Sequence, residues 1–129
     1  MNNVLKELIK IYEPGDTDWM MDKTSRKNPF TYHHIKEKRN KGDKTLENGA
    51  ILTKRSHAYL NYLYHTQKGN YNNLNTMFQE LNDSKMPPTE EYFDKVLALL
   101  EKIVEDDAEK KKNKHYKERT ITRKLKKKQ

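Results

Sequence analysis

The 129 residues fit one domain, and the make-up of 33% hydrophobic against 36% charged residues leaves material for a small core only. The chain contains no Cys, which excludes a disulfide framework, a zinc ribbon and a thiol nucleophile. The formal net charge of +8 favours a polyanionic partner, because every phosphate contact releases condensed counterions.

Residues 3–12 read as a short amphipathic helix with Leu5, Leu8, Ile9 and Tyr12 on one face, stopped by Pro14 and Gly15. Lys6 and Lys10 interrupt this only apolar stretch near the start, so no secretory signal is visible and a soluble cytoplasmic protein is expected. Residues 15–29 form a polar connection in which Trp19, Met20 and Met21 are expected to plug the core. Residues 29–35, aromatic and β-branched after Pro29, predict a short strand. Residues 36–48 are charged and carry the turn residues Asn40, Gly42 and Asp43. Residues 50–53 predict a second strand. Ser56 then reads as the N-cap of a helix ending near Gln67, with Gly69 beyond its end.

A third helix is predicted over 72–82, burying Leu74, Met77, Phe78 and Leu81. Pro87 and Pro88 break the chain, and Thr89, Glu90 and Glu91 open an acidic helix start. Phe93, Val96, Leu97, Leu100 and Val104 are expected to line one face to about residue 105. The longest aliphatic run, 96–100, is far too short for a membrane span, and no membrane association is expected. The expected class is therefore α+β and mostly helical. A single globular domain should cover 1–109, with 110–129 a basic tail that either extends the last helix or is disordered.

Charge is segregated along the chain. Residues 1–22 carry −3, residues 23–55 carry +7, residues 56–109 carry −6 and residues 110–129 carry +10. Three of the five histidines fall within or just after the middle basic block, as His33, His34 and His57. His34 precedes Asn48 by 14 residues, and Asn48 precedes His57 by 9. This layout puts a histidine pair at one strand's end, an Asn at the next strand's start and a third histidine in a helix's first turn. Neighbours on a strand point to opposite faces, so one of His33 and His34 can meet a metal while the other meets a substrate. His57 can supply a second ligand from the helix, with Asn61 on the same face one turn on. Imidazoles suit a borderline or transition metal, and a two-ligand set leaves positions open for water and a phosphate oxygen. Taken singly, each residue has an ordinary explanation: a strand histidine pair, a turn Asn before Gly49, a helix-end His. Their spacing is what sets them apart.

Residue types, both spacings and the strand–loop–strand–helix order together resemble the HNH nucleases, with their ββα-metal unit, and in particular the compact cysteine-free members found in phages and mobile elements. The resemblance covers about residues 30–64. It implies that His34 is the general base and His33 the metal ligand just before it. It further implies that Asn48 is the central structural Asn, whose amide pins the loop and helps orient the base, and that His57 is the ligand opening the helix. Asn61 stands where many members carry another His, and an amide binds metal more weakly than an imidazole. The implied cofactor is one divalent ion (Mg, Mn, Ni or Zn), and the implied reaction is hydrolysis of DNA phosphodiester bonds, by an endonuclease or nickase, to 5′-phosphate and 3′-hydroxyl ends. Lys36, Lys38, Arg39, Lys41 and Lys44 in the loop, with Lys54 and Arg55 before the helix, are expected to contact the phosphate backbone. A second class of function is a non-catalytic protein on the same scaffold, acting as a phage-encoded inhibitor or regulator of a host protein or nucleic-acid complex. The acidic segment 56–109 suits such a protein partner. A basic structural protein with no site accounts for the tail but not for the spacing.

Overall fold

A strand buried along its whole length must have both faces and both edges covered, and this requirement organises the molecule. The computed structural model describes residues 3–37 and 43–127, with side chains to residue 111. The elements run α1 (Asn3–Tyr12), β1 (Phe30–His34), a 3-10 turn (Leu46–Asn48), β2 (Gly49–Thr53), α2 (Lys54–Thr66), α3 (Lys68–Ser84) and α4 (Glu90–Lys127). The class is α+β and mostly helical. The chain divides into two compact units, Met1–Leu99 and Leu100–Gln129.

In the first unit every residue of β2 is buried. One edge of β2 pairs antiparallel with β1, His33 opposite Ala50 and His34 opposite Gly49. Backbone bonds from Lys54 N to Pro29 O and from Ile35 N to Asn48 O extend the pairing at either end. The other edge is met by the connection before β1: Trp19 N donates to Ile51 O at 3.0 Å, and Thr53 N donates to Asp18 Oδ2 at 2.8 Å. Asp18 is fully buried, and its Oδ1 also accepts from Met20 N and Asp22 N, each at 2.8 Å. A carboxylate taking three backbone N–H groups replaces its lost hydration with charge-assisted bonds. Residues 15–29 are thus an ordered edge, with further bridges pairing Thr17 with Lys23 and Ser25 with Asn28.

The tight turn around Asp18 also corrects one expectation. Trp19 and Met20 are buried, Trp19 lying edge-on to Tyr12 at 4.9 Å between ring centroids, but Met21 is 40% exposed. Met21 adopts a left-handed φ of 68° where the chain reverses toward Asp22, and its side chain turns outward.

Asp22 completes the edge. Its carboxylate accepts from the Thr53 hydroxyl at 2.6 Å, from Asn28 Nδ2 at 2.9 Å and from Arg55 Nη2 at 2.7 Å. Chiefly the Arg55 bond holds its pKa down to about 2. The N-cap of α2 is Thr53, not Ser56: Thr53 Oγ1 accepts from Ser56 N at 3.1 Å, so the strand's last residue opens the helix with no linker. Gly69 likewise lies inside the first turn of α3 rather than past a helix end, because Gln67 alone joins α2 to α3. Leu74, Phe78 and Leu81 of α3 are buried as expected, Met77 only partly.

The start of α4 is capped by Thr89 Oγ1, which accepts from Tyr92 N at 3.1 Å, and Tyr92 donates its hydroxyl to Trp19 O at 2.7 Å. Contact along Tyr92 and Val96 corrects the predicted stripe. Leu97, about 100° further round the helix, is 45% exposed, and in the second unit Val104 is 62% exposed while Ile103 is buried. In the second unit Lys111 pairs with Asp107 at 3.2 Å one turn apart. Among the described residues, no helix is long and apolar enough to cross a membrane.

Two substitutions test this framework. Asp18→Ala strands three backbone N–H groups and should cost about 3 kcal/mol or more in urea unfolding; a loss under about 1 kcal/mol would mean that another group or solvent satisfies them. At Gly49 a Cβ would lie 2.5 Å from Tyr32 Cε2 and 2.7 Å from Leu8 Cδ1. Gly49→Ala should therefore destabilise by about 1–3 kcal/mol, and an unchanged midpoint would refute this close packing.

Candidate functional site

β1 ends at His34 at the loop end of the hairpin, opposite Gly49, whereas α2 starts after Thr53 at the other end, and its first turn brings His57 to Thr31 of β1. Side-chain alternation sets His34 beside Tyr32, ring centroids 4.8 Å apart, and turns His33 toward the helices. A cleft of about 330 Å³ takes in His33, His34, His57 and Asn61 together, with Glu37 and His65 also on its walls.

Hydrogen bonds determine which imidazole nitrogens carry protons. Asn75 Nδ2 donates to Tyr71 O at 3.3 Å, so its Oδ1 faces His33 Nε2 as an acceptor at 2.7 Å. His33 therefore carries its proton on Nε2 and keeps the Nδ1 lone pair. The Thr31 hydroxyl donates to Leu52 O at 2.8 Å, so at 3.0 Å it accepts from His57 Nδ1. His57 is thereby protonated on Nδ1 and keeps the Nε2 lone pair. The two rings lie edge to face with centroids 5.3 Å apart. Burial pushes the His33 pKa down to about 4, opposed by the Asn75 bond and reinforced by the neighbouring imidazoles of His57 and His34. His57 is lowered too, by burial first and by His34 second. Both rings are therefore held neutral near pH 7, the form that coordinates metal.

This donor set suits a borderline divalent ion held by His33 and His57, with the Asn61 amide in the same cleft as a weaker donor. Among the described residues no group of three or more His, Cys, Asp or Glu is placed to hold a metal.

Asn48 binds the chain on both sides of the loop. Its Oδ1 accepts from Lys36 N at 2.7 Å, and its Nδ2 donates to Lys36 O at 3.0 Å and Asp43 O at 2.8 Å. The backbone leaving His34 is thereby fixed within two residues. The Tyr32 hydroxyl adds a bond to Thr45 O at 2.7 Å.

The expected phosphate contacts divide. Lys36, Lys44 and Lys54 are exposed, Lys44 Nζ lying 5.6 Å from the Tyr32 ring centroid. Lys38, Arg39 and Lys41 lie outside the described residues. Arg55 is exposed as well, and its guanidinium is engaged with Asp22, fastening the edge segment to the start of α2.

Two participants escape a reading of the sequence alone. Asn75 is one of several Asn in α3, and no local pattern marks it as the partner of His33. Thr31 looks like an ordinary strand residue. His65 did carry a signal, the four-residue spacing through His57 and Asn61 that puts all three on one helical face. No family model, no curated protein and no solved structure matches the chain.

The depressed His33 pKa sets a stability window. The unfolded chain takes up a proton near pH 6.5 while the folded chain resists until about 4, so stability is complete above this range and declines as pH falls through it. Unfolding free energy measured in EDTA should drop between these limits by on the order of 3 kcal/mol from this group. His33→Gln should flatten that segment of the profile; an unaltered slope would assign it elsewhere. Loss of the Asp22–Arg55 bond follows at lower pH, as the carboxylate is protonated between the usual range and about 2.

Proposed function

We propose that this protein is a small metal-dependent endonuclease or nickase of the HNH type, its hairpin and α2 forming a ββα-metal unit that hydrolyses DNA phosphodiester bonds. One observation carries this reading: the Asn48 amide clamps the chain just beyond His34, while His33 and His57 enter the same cleft with complementary tautomers already set by Asn75 and Thr31.

In this reading His34 accepts a proton from the water that attacks phosphorus, and the bond from phosphorus to the 3′ oxygen breaks. The products are a 5′-phosphate and a 3′-hydroxyl. His33 and His57 would hold a divalent ion, which when bound supplies charge neutralisation at the leaving oxygen. Asn75 and Thr31 act one step back, holding the two ligand rings in their coordinating tautomers. Lys36 and Lys44 near the loop end of the hairpin and Lys54 at the start of α2 would contact the phosphate backbone.

A second reading, a non-catalytic binding protein on this scaffold, is favoured by the engagement of Arg55 with Asp22, which withdraws one cation from a polyanionic substrate.

Cleavage of supercoiled plasmid with Mg²⁺, Mn²⁺ or Ni²⁺, against EDTA, separates the two. The unaltered protein should nick in metal only, and His34→Ala should lose at least about 100-fold in rate while retaining DNA binding. DNA binding without nicking under any metal would discard the nuclease and leave the binding protein.

A further inference from the structure

A second groove adjoins the histidine cleft, and the two share Glu37, Tyr64 and Tyr71 as a common wall. Its volume, about 590 Å³, lies within the range of small-molecule sites, ~300–1,000 Å³. We propose that this groove seats an unpaired nucleotide flanking the phosphate that enters the histidine cleft, an inference that rests on the nuclease reading and gives it a substrate class.

The lining carries the argument. α3 presents Lys68, Asn72, Thr76 and Gln79 along one stripe, at the spacing of successive helical turns, and Lys36 also lines the groove. Lysines at the margins suit the phosphates. Between them stand side-chain amides and a hydroxyl: the Asn72 amide both donates and accepts, while the Thr76 hydroxyl, which donates to Asn72 O, is left an acceptor for the edge of a base. Gln79 Nε2 is engaged with Asp83 Oδ1 at 2.9 Å, so its Oε1 is turned to the acceptor role.

The shared wall is aromatic, with Tyr71 buried and Tyr64 half-buried. The Tyr64 and Tyr71 rings meet edge to face at 5.3 Å, and Lys68 Nζ sits 4.5 Å from the Tyr64 ring centroid. Glu37, whose carboxylate accepts the Tyr71 hydroxyl, repels phosphate on the shared wall and offers an acceptor to an exocyclic amine. A base pair within a duplex exposes only its edges along a groove. A concave, partly aromatic pocket lined by amides and lysines fits a base that has left the stack. The groove therefore selects single-stranded, gapped or frayed DNA over an intact duplex.

The test is fluorescence anisotropy of the full chain in EDTA, where nothing is cut. The probes are a fluorescein-labelled strand of about 12 nucleotides and the same sequence as a duplex. The double variant Lys68→Gln with Asn72→Ala changes two exposed residues of α3 and should keep the thermal midpoint. It should weaken single-strand binding about tenfold and duplex binding less than about twofold. Equal weakening of both probes, or none, overturns the groove. If the unaltered protein binds neither probe, the groove and the nuclease reading fall together. Selective weakening by the variant in a protein that never nicks plasmid upholds the groove and discards the nuclease.

Discussion

The carboxylate of Asp18 sits at the point on which the first unit turns. It is the acceptor for Thr53 N at the edge of β2 opposite β1, and for two further backbone donors in the segment that runs along that edge. A two-stranded hairpin by itself is marginal in water, and burying β2 on both faces leaves its second edge needing partners. Asp18 and the adjoining Trp19 backbone supply them, and Trp19 is thereby set into the core beside Tyr12 and Phe78. Tyr92 in turn binds the Trp19 carbonyl, so the entry of α4 is referred to the same short stretch. A single buried anion thus aligns an edge, an indole and a helix start.

The same arrangement positions the candidate site. Because Thr53 ends β2 and caps α2, His57 is placed by the strand itself, with Thr31 of the neighbouring strand holding its ring. His33 is held from the opposite direction by Asn75 of α3. Two imidazoles are therefore orientated by different elements, and neither needs a carboxylate partner to set its tautomer. Burial keeps both neutral, which favours coordination and disfavours an uncompensated positive charge next to the core.

Legibility in the sequence followed how local the cause was. α1 matches its apolar spacing from Asn3 to Tyr12, and both strands stand where β-branched and aromatic residues cluster. The histidines and Asn48 were readable as a spaced set, and the clamp made by Asn48 is short-range in structure though 12 residues apart in sequence from Lys36. Causes that depend on a distant partner were hidden. Asp18 reads as one more acid in a polar loop until β2 is laid beside it. Thr53 reads as a strand residue, which it is, and its second role as a cap belongs to the junction. Gly69 suggests a stop, but a glycine tolerated in a helix's first turn leaves the same mark. Leu97 is apolar without being core, since the contact made by Tyr92 and the burial of Val96 set which side of the first turns of α4 faces inward.

The clamp at Asn48 has a consequence for how this protein can vary. One side chain holds Lys36 and Asp43, the two ends of an interval containing Lys38, Arg39 and Lys41. Lengthening an interval closed at both ends adds chain entropy only slowly, as the logarithm of its length. The residues between can therefore be exchanged, shortened or extended as a cassette while the backbone beside His34 stays in register. The junction between β2 and α2 has no such freedom, since one inserted residue would separate the cap from its helix and rotate His57 off the cleft. The architecture thus divides into a part that holds the chemistry still and a part open to diversification, and the two are separated by a single amide.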